Sequence, residues 1–223
     1  LRLSGARAAV KAAQGKLGGT VAVDAGAPGG SDRLVVTGTA AAEAFEYAPN
    51  APDGGTLVLP GPDVVFSQVE AVAIDGRSDL NDDSLTVRSE GGVDNVMLEP
   101  GAAFDSGTVW IRSSAGAEST PPLSFRALGE DAWVSLASGA PNVREDIFEY
   151  LGTNTSDAFA VTAANGGTVL LNQQLEVRFP GAAQQSLARS VTARPSAPRR
   201  ATAGLSPAAD LDFASGCPRT LRS

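Results

Sequence analysis

The sequence predicts an all-β chain made of a repeated strand unit, in the form of a β-solenoid or β-helix-like stack; a β-sandwich of antiparallel hairpins is the alternative. Three observations predict it. Glycine is abundant (25 of 223 residues) and aromatic residues are few (5%), a balance that favours short strands and frequent turns over a helical bundle. Short Val/Leu/Thr runs alternate apolar and polar residues, so each offers one face for burial. The same spacing of apolar and acidic residues recurs three times, and fixed-period self-similarity marks repeat architecture.

The repeats align from Asp32, Asp83 and Asp146. Two residues on stand Leu34, Leu85 and Phe148, and four on stand Val36, Val87 and Tyr150. An acid returns at Glu43, Asp94 and Asp157, followed by Phe45, Val96 and Phe159 and then Tyr47, Leu98 and Val161. Each unit therefore predicts two short strands, each with one buried face, joined by a turn at Gly38-Thr39, Ser89-Glu90 or Gly152-Thr153. An acid placed just before a strand can accept backbone N–H bonds there.

A second unit follows each pair: Gly55-Thr56-Leu57-Val58-Leu59, Gly107-Thr108-Val109-Trp110-Ile111 and Gly167-Thr168-Val169-Leu170-Leu171. Gly19-Thr20-Val21-Ala22-Val23 reads as a fourth copy, the end of a preceding repeat. One more strand-like stretch comes after each, at Val69–Ile74, Leu123–Phe125 and Leu175–Phe179, which makes about four strands per repeat. Extra length near 113–122 and 128–143 is rich in Gly, Ser and Pro and predicts loops. The expected organisation is an N-terminal tail at 1–17, a β-repeat region at 18–181, and a basic, disordered Ala/Pro/Arg-rich tail at 182–223.

Charge is divided in the same way. Residues 18–181 carry 7 Lys+Arg against 23 Asp+Glu, whereas the two ends are each basic. An acidic body repels phosphate backbones, so nucleic acid is not an expected partner. The single cysteine, Cys217, and the absence of histidine exclude an intrachain disulfide and a Cys/His zinc site. No apolar run approaches 18 residues, so no membrane insertion is expected. The start at Leu1 without methionine reads as a fragment or processed product.

The Asp-x-Leu-x-Val-x-Gly-Thr…acid-x-Phe-x-Tyr pattern resembles repeats of large bacterial secreted and cell-surface proteins related to haemolysin-type calcium-binding proteins. The stretch Val69-Glu70-Ala71-Val72-Ala73-Ile74-Asp75-Gly76, leading to Asp82-Asp83-Ser84-Leu85-Thr86-Val87, carries the likeness most closely. It spans roughly residues 18–181 and implies an extracellular or cell-surface address in a bacterium, with calcium as the associated ion. Successive Gly-Gly-x-Gly-x-Asp nonapeptides of a calcium β-roll are absent from the chain.

Within the residues themselves, one stretch has calcium-ligand spacing. Asp79, Asn81 and Asp83 alternate, and Glu90 stands at the twelfth position; hard oxygen ligands at such intervals suit Ca²⁺. Ser84 replaces the glycine of an EF-hand at position six, so an irregular Asp-rich loop is the form expected, against a solvated acidic turn. Without histidine no Ser-His-Asp triad can form. The adjacent pairs Asp82/Asp83, Glu130/Asp131 and Glu145/Asp146 point to opposite faces of any strand they occupy. Trp133, in a non-repeated insertion, is the candidate glycan contact. Trp110, aligned with Val58 and Leu170, is expected to pack.

The expected role is thus a non-catalytic structural or adhesive repeat segment, with neighbouring repeats of a larger chain as partners, and surface glycans or other surface proteins as further ones. A carbohydrate-binding module is the alternative, and a polysaccharide-degrading β-helix enzyme a more remote one.

Overall fold

Alternation of the kind that Leu34-Val35-Val36 or Leu85-Thr86-Val87 shows can be satisfied only if every second side chain finds an apolar partner layer. The chain does this with two mixed sheets that share one core. In a computed structural model, the residues described are 2–3, 7–11, 19–26, 32–77, 82–89, 94–113, 120–137, 147–153, 157–162, 167–172 and 175–179. All regular structure among them is β-strand.

The strands are β1 (Arg2–Leu3), β2 (Arg7–Lys11), β3 (Thr20–Asp24), β4 (Arg33–Thr37), β5 (Ala44–Ala51), β6 (Gly54–Val58), β7 (Asp63–Ser67), β8 (Ala71–Asp75) and β9 (Ser84–Arg88). They continue with β10 (Asp94–Pro100), β11 (Gly107–Ser113), β12 (Leu123–Arg126), β13 (Trp133–Ala137), β14 (Ile147–Tyr150), β15 (Phe159–Thr162), β16 (Thr168–Leu171) and β17 (Glu176–Arg178). One sheet has ten strands in the order β1-β3-β7-β6-β5-β9-β13-β17-β16-β15, and the other seven in the order β14-β10-β11-β12-β8-β4-β2. Neither sheet is closed.

The three aspartate-led units share one shape. In each, the chain crosses from one sheet to the other between its two strands: β4 to β5, β9 to β10, and β14 to β15. Leu34, Leu85 and Phe148 occupy the second position of their strands and are all buried. Successive units start in alternate sheets, so the turn between the paired strands joins two layers instead of closing a hairpin.

After each crossing comes a three-stranded antiparallel meander, β5-β6-β7, β10-β11-β12 or β15-β16-β17. The Gly-Thr-apolar unit supplies its middle strand each time. Every other pairing is parallel. As a result only β6 and β16 run against the ten-stranded sheet, and only β11 against the seven-stranded one. Parallel register lines up apolar residues of different repeats: Leu34–Val72–Leu123 in one sheet and Phe45–Leu85–Val134–Val177 in the other. These rows are fully buried or nearly so and belong to a single core. Burial of this kind contributes about 1.5–3 kcal/mol per large side chain.

Three sequence expectations are corrected here. The repeat has five strands, because Asp63–Ser67 forms β7, the third meander strand that matches β12 and β17. Val69–Ile74 instead contributes to β8, a single crossing strand whose counterpart is β13. Trp133 therefore lies on a repeated strand, within a stretch expected to be a loop. Likewise Gly19–Val23 falls on β3, which is parallel to both neighbours and so is no copy of the meander centre. The residues of the expected C-terminal tail, 182–223, and Asp146 lie outside the described residues.

Candidate functional site

The first and third of the crossings between paired strands are built from a glycine and an acid. At the first, Thr39 donates its backbone N–H to Glu43 Oε2 at 2.7 Å and its hydroxyl to Glu43 Oε1 at 3.0 Å. At the third, Thr153 does the same to Asp157, at 2.8 Å and 2.6 Å, and Asn172 Nδ2 adds a bond at 2.9 Å. The preceding glycines, Gly38 and Gly152, leave the space the carboxylates fill: a β-carbon at either would collide with Glu43 Oε2 or Asp157 Oδ2. The repeated Gly-Thr and the acid four residues beyond Thr thus form one recurring corner.

Asp83 belongs to a related corner between strands of different repeats. Its Oδ1 accepts the Glu43 backbone N–H at 2.8 Å, and its own N–H donates to the Leu128 carbonyl at 2.7 Å. Its Oδ2 is buried, accepts no hydrogen bond, and occupies the space left by Gly76. Burial pushes the carboxyl up to about 7; the Glu43 N–H acts the other way, and the charges of Glu43 and Asp82 add to the rise. A perturbed carboxyl in a cleft would suggest acid–base chemistry, but Asp83 is fully enclosed and faces the core. Asp82, beside it, turns away and accepts the Asp131 N–H at 2.8 Å.

Of the calcium-spaced set, only Asp83 is among the described residues; Asp79, Asn81 and Glu90 lie outside them. Among the described residues no three His, Cys, Asp or Glu side chains are grouped to hold a metal ion.

Both tryptophans project from outer faces, one from each sheet. On β11, Val109 and Ile111 are buried while Trp110 is half-buried. Its counterparts Val58 and Leu170 also face outward, and Val58 is 38% exposed. Trp110, expected to pack, is on the outward side of its strand, whose inward positions are the neighbouring ones. On β13, Val134 and Leu136 are buried, and Trp133 stands outside between Ser84 of β9 and Glu176 of β17. The Arg178 guanidinium carbon lies 4.0 Å from the centre of the Trp133 ring, and Glu176 holds that guanidinium at 2.8 Å. This cation–π contact covers one ring face.

Sequence reasoning missed the arginines on the outer face of the seven-stranded sheet. Arg33 Nη2 reaches Ser124 Oγ at 3.1 Å across β8, and Arg126 pairs with Asp75 at 2.6 Å. The only signal available was their parallel register, which requires the sheet assignment. Comparison of the chain with family models, with curated proteins and with solved structures gives no match.

Proposed function

We propose that the chain is a non-catalytic structural or adhesive segment of a bacterial surface or secreted protein, its repeats stacked on neighbouring repeats of the same design. The supporting observation is the apolar row Phe45–Leu85–Val134–Val177, which links three successive repeats in register through parallel strands. A unit of five short strands cannot cover its own apolar face. Stacking supplies the cover, and each unit then depends on its neighbours.

The test is a chain in which a second copy of residues 32–179 follows the first. Stacked repeats should melt together, in one transition at a higher Tm than the single chain. Two independent transitions at the original Tm would defeat the reading.

A carbohydrate-binding role has one observation in its favour: Trp133 stands on the outer face of the ten-stranded sheet, where an aromatic ring can meet a sugar. A glycan array read with the full chain and with Trp133→Ala decides it. Saturable binding that the substitution abolishes would replace the spacer reading with a lectin-like one.

A further inference from the structure

We propose that the outer face of the seven-stranded sheet binds a linear acidic polysaccharide, in a groove lined by Arg33, Arg77 and Arg126. This goes beyond the stacking reading and does not depend on it.

Residues 18–181 contain seven basic side chains, all arginine, within a strongly acidic stretch. Three of the seven converge here. The concavity of about 690 Å³ lies at the strand ends and is lined by Thr39, Asp75, Arg77 and Arg126. A second of about 260 Å³ continues along β4, β8 and β12, and shares Asp75 and Arg126 with the first while adding Arg33 and Ser124. Ala73 forms its floor between Val35 and Ser124. The small floor residue is what makes a depression on an otherwise flat sheet.

Arg126 is partly neutralised by Asp75, and Arg33 is held to the neutral hydroxyl of Ser124. Arg77 is exposed at the groove mouth, on a backbone with φ +57°. Among the described residues lining the groove, three arginines stand against one acid, Asp75, an excess of two positive charges. Guanidinium groups present paired N–H donors that match carboxylate and sulfate oxygens.

Ser124 and Arg126 are two residues apart on one strand, roughly 7 Å, with Arg77 beyond the strand end. A single small anion in the first concavity would leave Arg33, which lines only the second, unused. A chain bearing an acid group at intervals meets several at once, and the later contacts are intramolecular. A sugar polymer with one acid group per ring also carries less charge per unit length than duplex nucleic acid, whose dense phosphates the body repels.

The probe is decagalacturonate, titrated into the full chain by calorimetry at low and at physiological salt. Saturable binding is expected, weakened by salt and at least tenfold by the pair Arg33→Ala and Arg77→Ala. Both side chains are exposed. Arg77→Gln alone removes the charge and the paired guanidinium donors while leaving a polar side chain, and should still weaken binding about threefold. Arg88→Ala, on the other sheet, should leave it unchanged. The proposal is overturned by absent binding, by equal binding of the fully methyl-esterified probe, or by equal loss with Arg88→Ala. Equal or tighter binding of a ten-residue polyglutamate also overturns it, since charge alone would then be recognised.

Discussion

The backbone N–H of Glu43 donates to the side-chain Oδ1 of Asp83 at 2.8 Å. The bond joins the first repeat to the second at the corner where both cross between sheets. It also holds a carboxyl in a place where the charged form is poorly solvated, since Oδ2 accepts nothing. Unfolded, this carboxyl ionises near its ordinary 3.8; folded, it keeps its proton to about 7. Between those values the folded chain binds more protons than the unfolded one. Stability contributed by Asp83 therefore falls as pH rises from about 4 to about 7, and levels off above.

Asp83→Asn keeps the oxygen that accepts from Glu43 and removes the titration. Its Tm should match that of the natural chain near pH 4 and exceed it by roughly 5 °C at pH 8. Thermal melts followed by circular dichroism across that range provide the check. A Tm difference independent of pH would show that Asp83 does not titrate there.

The glycine–acid corners lead to a coupling prediction. At Gly152, the three atoms nearest to an added β-carbon all belong to the Asp157 side chain. Gly152→Ala should cost about 2 kcal/mol, and Asp157→Ser about 1–2 kcal/mol through loss of the Thr153 and Asn172 bonds. The double substitution should cost at least about 1 kcal/mol less than the sum, because the clash has been removed. At Gly76 a β-carbon would also come within 2.5 Å of the Ala127 carbonyl oxygen. Backbone cannot be trimmed away, so shortening Asp83 should not rescue Gly76→Ala. Denaturant unfolding of both sets measures the contrast.

These corners also show what the sequence could reveal. The offsets from Asp32, Asp83 and Asp146 identified inward residues such as Leu34, Phe45, Leu85 and Val96 correctly, because period-two alternation is local. It states that a side chain faces inward, but not which sheet carries it. Leu34 and Phe45 belong to different sheets, as do Leu85 and Val96; a hairpin and a crossing leave the same pattern. The third meander strand was misaligned for a related reason. Val64 and Phe66 of β7 sit just after Pro60-Gly61-Pro62, which reads as loop, while the apolar run of β8 looked like the better match. Trp133 was hidden among Gly and Ser in the same way. The arginine groove was not legible, because Arg33, Arg77 and Arg126 come together only once β4, β8 and β12 are neighbours.

Two tyrosines tie the layers together in opposite senses. Tyr47, on β5 of the ten-stranded sheet, donates its hydroxyl to the Pro121 carbonyl at 2.6 Å, just before β12 of the other sheet. Tyr150, on β14 of the seven-stranded sheet, donates to the Leu175 carbonyl at 3.3 Å, just before β17. Burial raises both phenols well above their ordinary value. Tyr47→Phe should cost about 1–2 kcal/mol, since a buried carbonyl loses its donor. Tyr150→Phe, at the longer distance, should cost less than half as much. Urea midpoints of the two variants test the ranking.

Arg178 provides the sharpest test of what Trp133 is for. The guanidinium lies over the ring at 4.0 Å and is itself paired with Glu176. All three groups are on an outer face, where such contacts are worth about 0.5–1 kcal/mol. Arg178→Ala should therefore lower stability by no more than about 1 kcal/mol, while Trp133 emission moves to longer wavelength as water reaches the uncovered face. Measured in a Trp110→Phe background, the shift reports on Trp133 alone. If the ring is a sugar platform, Arg178 competes with the sugar for that face, and its removal should tighten glycan binding. If the ring is held by Arg178 only to stiffen the junction of β13 and β17, the same substitution should leave glycan binding unchanged and increase hydrogen exchange at Val134 and Val177.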